Sequence, residues 1–453
     1  MSELKKILIL TLIAAFIVSM LFLGTSCKEE EVAEEEVAEE EVAEEEEVAE
    51  EEEVVAEPVT ITWWHIQTEE TQKALWQDLA DQYMAANPNV TIEVTVLENE
   101  NFKAKLTTVM QSGEVPDIFQ SWGGGTMNDQ ATAGLLRDIT VELATDGWGD
   151  TFSPGALGVY AFDGVNYGVP RDMGMVGFWY NTELFATAGI DSPPATWTEL
   201  LEDVQILKDA GITPIAVGAG DKWPAAFWWE YLCVRIGGQD AFLAATSRAG
   251  SFTDAPFVEA GEKIVELVAT DPFPAGFLGE TWGNEGTHMG NSETAMDLMG
   301  QWAPGSFREN SADGTGLDGK IGWFTFPMVE GGAGGVADAL GGGNGFVVGK
   351  DAPDAAVDFL KFISSVDSQI AQAEIGMSVP VVVGSETALT DPTLLMVQQG
   401  AAAAEYFQLY YDQYLPPAMG SVVNDAVQGI FAGTLTPLEA AQMIEDSAAV
   451  ELQ

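Results

Sequence analysis

Residues 58–66, PVTITWWHI, crowd β-branched and aromatic positions into a short run, and then the spacing of apolar residues changes. Leu75, Leu79 and Tyr83 recur at fours until Asn87-Pro88 breaks the pattern, so a strand is followed by a helix. NVTIEVTVL alternates Val90, Ile92, Val94 and Val96 as a second strand, residues 102–111 read as helix, and PDIFQSW as a third short strand. This βαβ rhythm predicts an α/β fold with mainly parallel sheets flanked by helices. Thr196 with Glu199, and Thr436-Pro437 with Glu439, have the spacing of capping boxes at helix starts. Gly211 and Gly433 fall where helices need a left-handed residue to end.

Two stretches obey neither period. In YGVPRDMGMVGFWYN, residues 167–181, a charged pair follows a proline, then come pliable positions, then three aromatics in a row. EGGAGGVADALGGGNG, residues 330–345, is rich enough in glycine to be a linker or a hinge.

The first 57 residues differ in kind from the rest. Lys5 and Lys6 precede an apolar run over residues 7–23, then Gly24-Thr25-Ser26 and Cys27, which is the order of an export signal ending at a lipid-acceptor cysteine. Residues 1–27 are therefore expected to be a lipoprotein signal peptide, with lipidation at Cys27; the alternative is an uncleaved anchor at the short edge of spanning length. Gly24 stands where such signals usually carry leucine, so the match to the cleavage site is partial. Either reading puts the body outside the cytoplasm at a membrane surface. Residues 28–57 repeat EEEVA, with eighteen glutamates in thirty positions and Lys28 as the one cation. Unpaired carboxylates repel at helical spacings, so an extended solvated tether is expected, reaching on the order of 30 Å.

Charge and composition then exclude whole classes of function. Of the net −55, the tether holds −17 and the first 27 residues +1, which leaves −39 on residues 58–453. Such a field repels nucleic acid. With Cys27 lipidated, Cys233 has no intrachain partner. His65 and His288 are the two histidines, and HExxH, paired CxxC and GxSxG are all missing, so neither a metal site nor a cofactor is expected and zinc or serine hydrolysis has little to build with. Gly314, Gly316 and Gly319 form a GxGxxG that precedes a strand instead of following one, which reads as a surface turn. Paired carboxylates for glycoside hydrolysis stay open, because 72 acidic residues supply pairs by chance.

Thirteen tryptophans are the positive signal. Trp63, Trp64, Trp122, Trp223, Trp282 and Trp302 fall where βα connections are predicted, and ligands of open α/β sheets bind at those loops. Indole faces cover the C–H faces of pyranose rings while polar side chains take the hydroxyls. Trp64 with His65, Trp223 with Asp221, Trp229 with Glu230 and Trp302 with Gln301 place both parts side by side.

From residue 59 to 448 the chain resembles the extracellular solute-binding proteins of family 1, the maltose-type periplasmic proteins that serve ABC sugar importers. The resemblance rests on NPNVTIEV, SGEVPDIFQSW, GLLRDIT, DGVNYGVPRDMGMVGFWYNTELFATAGIDSPPATWTELLEDVQILKDAGITPIAVG, AMDLMGQWAPGSF, GGGNGFVVGKDAPDAAVDFLKFISS and GTLTPLEAAQMI. It implies a two-lobed class II binding-protein fold with a sugar in the cleft between the lobes, a monomer that delivers the sugar to permease subunits, and no catalysis. Lobe 1 is expected over residues 58–173 and 340–375, lobe 2 over 174–339 and 376–453. Residues 169–176 become a hinge strand on the cleft floor, with Gly174 and Gly177 letting it bend and Asp172 facing ligand; Arg171 and Asp172 pairing on the surface is the competing arrangement. Gly342, Gly343 and Asn344 mark the second crossing. The resemblance and the indole-plus-polar pattern together give as expected ligand residues His65, Gln67, Trp122, Asp172, Trp223, Trp228, Glu230, Trp282, Gln301, Trp302, Gly343 and Asn344, with Trp302 foremost for stacking. A cationic solute such as a polyamine would also suit Trp faces and carboxylates, and a surface carbohydrate-active enzyme is the rival from another class.

Overall fold

The structure, a computed structural model, describes residues 57–452, so the apolar run, Cys27 and almost all of the acidic repeat lie outside the described residues. The predicted opening is present: β1 (Val59–His65), a helix over Glu70–Ala86, β2 (Val90–Val96), a helix over Asn99–Ser112 and β3 (Ile118–Ser121). β1 lies parallel to both β2 and β3, with Val59 opposite Val90 and Trp63 opposite Ile118. One face of β1 buries Ile61, Trp63 and His65, and the helix turns Trp76, Leu79, Ala80 and Tyr83 inward at three-and-four spacing. Trp63 is thus a core residue and not a loop residue: it packs against Trp76, Phe346 and Phe359 at 5.2–5.5 Å between ring centroids.

A small hairpin, β4 (Ala161–Phe162) with β5 (Val165–Asn166), leads into β6 (Gly168–Pro170), β7 (Gly174–Met175) and β8 (Gly177–Asn181). These last three belong to three different sheets. With β13 (Gly345–Val348), β6 completes a five-stranded sheet in the order β2-β1-β3-β13-β6. β8 lies in a four-stranded sheet with β9 (Thr213–Ala216), β10 (Thr294–Met299) and β11 (Ile321–Phe324), ordered β11-β8-β10-β9. β7 joins β12 (Ala339–Gly342) and β14 (Phe407–Leu409) in a three-stranded sheet between them. The chain returns from β12 straight into β13 (Gly345–Val348), antiparallel to its outward path, with Gly341 opposite Met175 and Gly345 opposite Pro170. A third pass runs beside them, where Met173 N–H donates to Val379 O and Ser153 N–H to Val381 O.

The fold is therefore two-lobed, each lobe with its own apolar core. One is built on Ile61, Trp63, Trp76, Phe346 and Phe359; the other on Phe178, Trp228, Tyr231, Phe326 and the C-terminal helices Pro417–Phe431 and Pro437–Glu451. In the second, Arg235 is wholly buried and its guanidinium donates to the carbonyls of Phe326 and Asp338, which fixes the approach to β12.

Local signals hold with one amendment. Thr436 and Glu439 form a full capping box. At Thr196 half of it forms: Thr196 Oγ1 accepts from Glu199 N–H, while the Glu199 carboxylate reaches the N–H of Ala195 instead. Gly211 and Gly433 are left-handed at helix ends, and Gly314, Gly316 and Gly319 all take positive φ in the turn before β11. Among the described residues no helix is long and apolar enough to cross a membrane.

Candidate functional site

The floor between the lobes is made where the crossing strands meet, and Asp172 is its hub. Asp172 Oδ1 accepts from Asn344 N–H at 2.8 Å, from Asn344 Nδ2 at 3.0 Å and from Gln301 Nε2 at 3.3 Å, while Oδ2 sits 2.6 Å from Arg171 Nη2. Asn344 Oδ1 in turn accepts from Gln120 Nε2 at 3.0 Å. One buried network thus links β3 of the first lobe, both crossings, and Gln301 at the end of β10 in the second. Arg171 and Asp172 do pair, but buried, not on the surface. With each oxygen engaged by protein donors, Asp172 is built to hold the floor together.

The glycines around it serve close approach, not bending. Gly174 and Gly177 have no positive φ. A Cβ on Gly174 would lie 2.4 Å from Gln301 Oε1, one on Gly177 2.5 Å from the Trp323 ring, and one on Gly343 2.3 Å from Asp172 O.

On the first-lobe side, β1 ends in His65 and Gln67 follows two residues on, both buried. His65 Nδ1 accepts from Gln67 N–H, and burial, helped by the Arg171 charge, drives the imidazole down to about 3, so it is neutral at any working pH. Trp122 follows β3, half-buried against Phe102 with Lys103 Nζ 5.6 Å from its ring centre. On the second-lobe side, Trp223 and Trp282 each open a helix, and Trp302 follows Gln301. Trp223 stands 6.3 Å from Trp282 and 6.2 Å from Trp302, and Tyr410 lies 6.4 Å beyond Trp302. Asp221 fixes this wall by accepting from Trp282 N–H at 2.9 Å.

Around the floor a set of buried polar atoms has no hydrogen-bond partner among the described residues: His65 Nε2, Gln67 Oε1, Gln120 Oε1, Arg171 Nε and Nη1, Trp223 Nε1, Gln301 Oε1, Tyr410 OH and Gln413 Oε1. A buried donor or acceptor left alone costs about 1–3 kcal/mol, so a concentration of them marks a surface shaped for an outside partner. Single atoms in the same condition occur elsewhere, among them Trp63 Nε1 and Trp76 Nε1 in the first core and Gln130 Oε1, Thr294 Oγ1 and Gln372 Oε1, so it is the concentration at the floor that points to a ligand.

Trp228 and Glu230 are not brought to this place. Trp228 is sunk among Phe178, Phe273 and Phe326, and the buried Glu230 carboxylate accepts from Tyr411 N–H at 3.2 Å, its pKa raised by burial and by Asp412. Trp229 is likewise core, its indole N–H donating to Phe257 O. Conversely, Gln120, Tyr410 and Gln413 stand at the floor without a prior sign. A Cβ on Gly342 would touch the Tyr410 ring at 2.6 Å and Gln413 Oε1 at 2.9 Å. The aromatic run YYDQY, residues 410–414, was the available signal.

Comparison with known proteins agrees with the two-lobed fold. The chain is similar to an uncharacterized ABC transporter extracellular-binding protein of Pyrococcus horikoshii, 28% identical over 326 residues and 70% of each chain. A solved chitin oligosaccharide binding protein superposes with a TM-score of 0.81 at 26% identity, covering 88% of this chain and 100% of that one. A structure from work on xylan utilization by the thermophilic bacterium Caldanaerobius polysaccharolyticus gives 0.81 at 27% identity, over 86% and 99%. The family model for bacterial extracellular solute-binding proteins matches residues 67–370, a span that holds both crossings and the indole wall; by that match the chain belongs to the bacterial extracellular solute-binding protein family.

Proposed function

We propose that this protein captures a neutral oligosaccharide outside the cytoplasm and delivers it to the permease subunits of an ABC transporter, acting as a monomer and catalysing no reaction. The observation that carries the reading is the pairing of indole faces with unpartnered buried polar atoms on both sides of one floor. Sugars are the ligand class that uses both at once, ring faces against Trp223, Trp282, Trp302 and Trp122, hydroxyls against His65, Gln67, Gln120, Gln301, Tyr410 and Gln413. The two solved structures above point the same way, one being a binding protein for chitin oligosaccharides and the other from work on xylan utilization. A polyamine is disfavoured because the floor carboxylate, Asp172, is already engaged by Arg171, Asn344 and Gln301.

The lobes are taken to divide near residues 173 and 340 and again near 375, with Cys27 as the lipid attachment and residues 28–57 as the tether. Moving the lobes from one-in-a-hundred closed to mostly closed needs a preference of about 5 kcal/mol for the closed state, within reach of stacked indoles and several hydrogen bonds. The test is a thermal-shift screen of the body against neutral oligosaccharides, amino sugars and polyamines. A rise of the midpoint with neutral oligosaccharides is expected. A rise with polyamines alone would overturn the ligand class, and shortened products after incubation with the best sugar would overturn the assignment as a binder.

A further inference from the structure

One carboxyl crosses from lobe to lobe without belonging to the floor. Glu69 precedes the helix Glu70–Ala86 of the first lobe, only two residues after Gln67, and is half-buried. Its Oε1 and Oε2 lie 2.7 and 2.8 Å from where a Cβ would stand on Gly305, which belongs to the helix Ala303–Glu309 packed into the second-lobe core through Ala303 and Phe307. Gly305 leaves just enough room for that carboxyl. We infer that Glu69 is the seat of lobe closure in this protein, and that its carboxyl takes up a proton as the lobes close on Gly305, so that capture of the sugar is coupled to proton uptake. This rests on the binding role proposed above.

Burial favours the neutral form, and the groups around the carboxyl pull in both directions. From the second lobe Glu309 repels it and Arg308 attracts it; from the crossing strand Arg171 attracts it, but that guanidinium is already 2.6 Å from Asp172; on its own helix Gln72 offers a hydrogen bond, and Lys73 and Glu70 act on Glu309. Burial is the largest influence and Glu309 the next, and together they carry the carboxyl up to about 7. With the lobes apart, the same side chain is expected to titrate near the ordinary glutamate value of about 4.3. The closed form then binds the proton more tightly, so closure is fully favoured below the open-state pKa and loses that advantage as pH rises to about 7.

The experiment titrates the purified body with xylo- and chito-oligosaccharides from pH 5 to pH 8, and in parallel follows the sugar-free radius of gyration by small-angle scattering. In the wild type, affinity is expected to fall by up to about tenfold per pH unit toward 7 and then level, while the radius of gyration grows over the same range. Glu69→Gln, a neutral isostere, should keep the low-pH affinity and compactness throughout. Gly305→Ala should bind weakly and stay expanded at every pH, because its methyl occupies the seat. Equal pH slopes in the wild type and Glu69→Gln, or full affinity in Gly305→Ala, overturn the inference. If none of the sugars binds at any pH, the binding role fails while the scattering series still decides the closure claim: no difference between the wild type and Glu69→Gln sinks it.

Discussion

At the scale of the residue, Trp228 and Trp302 make opposite predictions although both were singled out as ligand tryptophans. Trp228 is 1% exposed with three phenylalanine neighbours, so Trp228→Ala should cost about 3–5 kcal/mol of stability. Trp302 is half-buried, lies across Gly300, whose Cβ would stand 2.3 Å from its ring, and has Trp223 and Tyr410 at its sides. Trp302→Ala should lower oligosaccharide affinity by about 2–4 kcal/mol and leave the sugar-free unfolding midpoint nearly unchanged. Calorimetric titration together with urea unfolding of both variants checks the contrast; a stability loss at Trp302 with intact affinity would make it a core residue. The sequence could not separate the two. In the helix Trp223–Thr246 burial is continuous from Trp223 to Ile236, so no polar stripe tells an inward-facing tryptophan from one at the mouth of the helix. Trp223 differs only by standing at the first turn, beside Asp221.

At the scale of the element, the alternating strands and the helices after them were legible because one face of each is buried and the period follows from that. The crossings were legible for another reason: residues 167–181 and 330–345 fit no period, and they turn out to pass between sheets, where no single face is buried. Tyr410 and Gln413 were not legible, since what makes them part of the floor is a tertiary approach to Gly342 from far along the chain. The same approach explains the glycines. A methyl at Gly343 would press on Asp172 O at 2.3 Å, so Gly343→Ala must push one crossing away from the other and drag Asn344 off the Asp172 carboxylate. Overpacking of this kind costs about 1–3 kcal/mol. A lower urea midpoint and weaker sugar binding are expected together, whereas Gly314→Ala, in a surface turn with nothing within 4 Å, should leave sugar binding alone. Equal affinity in the two variants would show that the crossing does not position the site.

At the scale of the whole molecule, the acidity that excludes polyanions as ligands also reaches into the second core. Glu285 and Asp297 are both buried behind the indole wall, and the Glu285 carboxylate accepts from Gly218 N–H at 2.7 Å, fastening the end of β9 to the helix that begins with Trp282. Burial raises both acids, Asp297 to about 7, and for Glu285 the neighbouring Asp297 charge adds to it. Two carboxyls in one dry place cannot both ionise cheaply, so the pair holds a proton in the folded chain that the unfolded chain gives up near pH 4. The sign follows from linkage: the folded state binds the extra proton, so its stability is full below the unfolded value near 4 and drains away as pH rises through about 7. The unfolding midpoint of the wild-type body should therefore fall between pH 5 and pH 8. Asp297→Asn keeps the shape and removes the charge, so its stability should fall less over that range and exceed the wild type at pH 8, by a margin on the order of 2 kcal/mol. Thermal unfolding in matched buffers at constant ionic strength measures this, and parallel curves for the two proteins would mean that the pair does not govern the pH response.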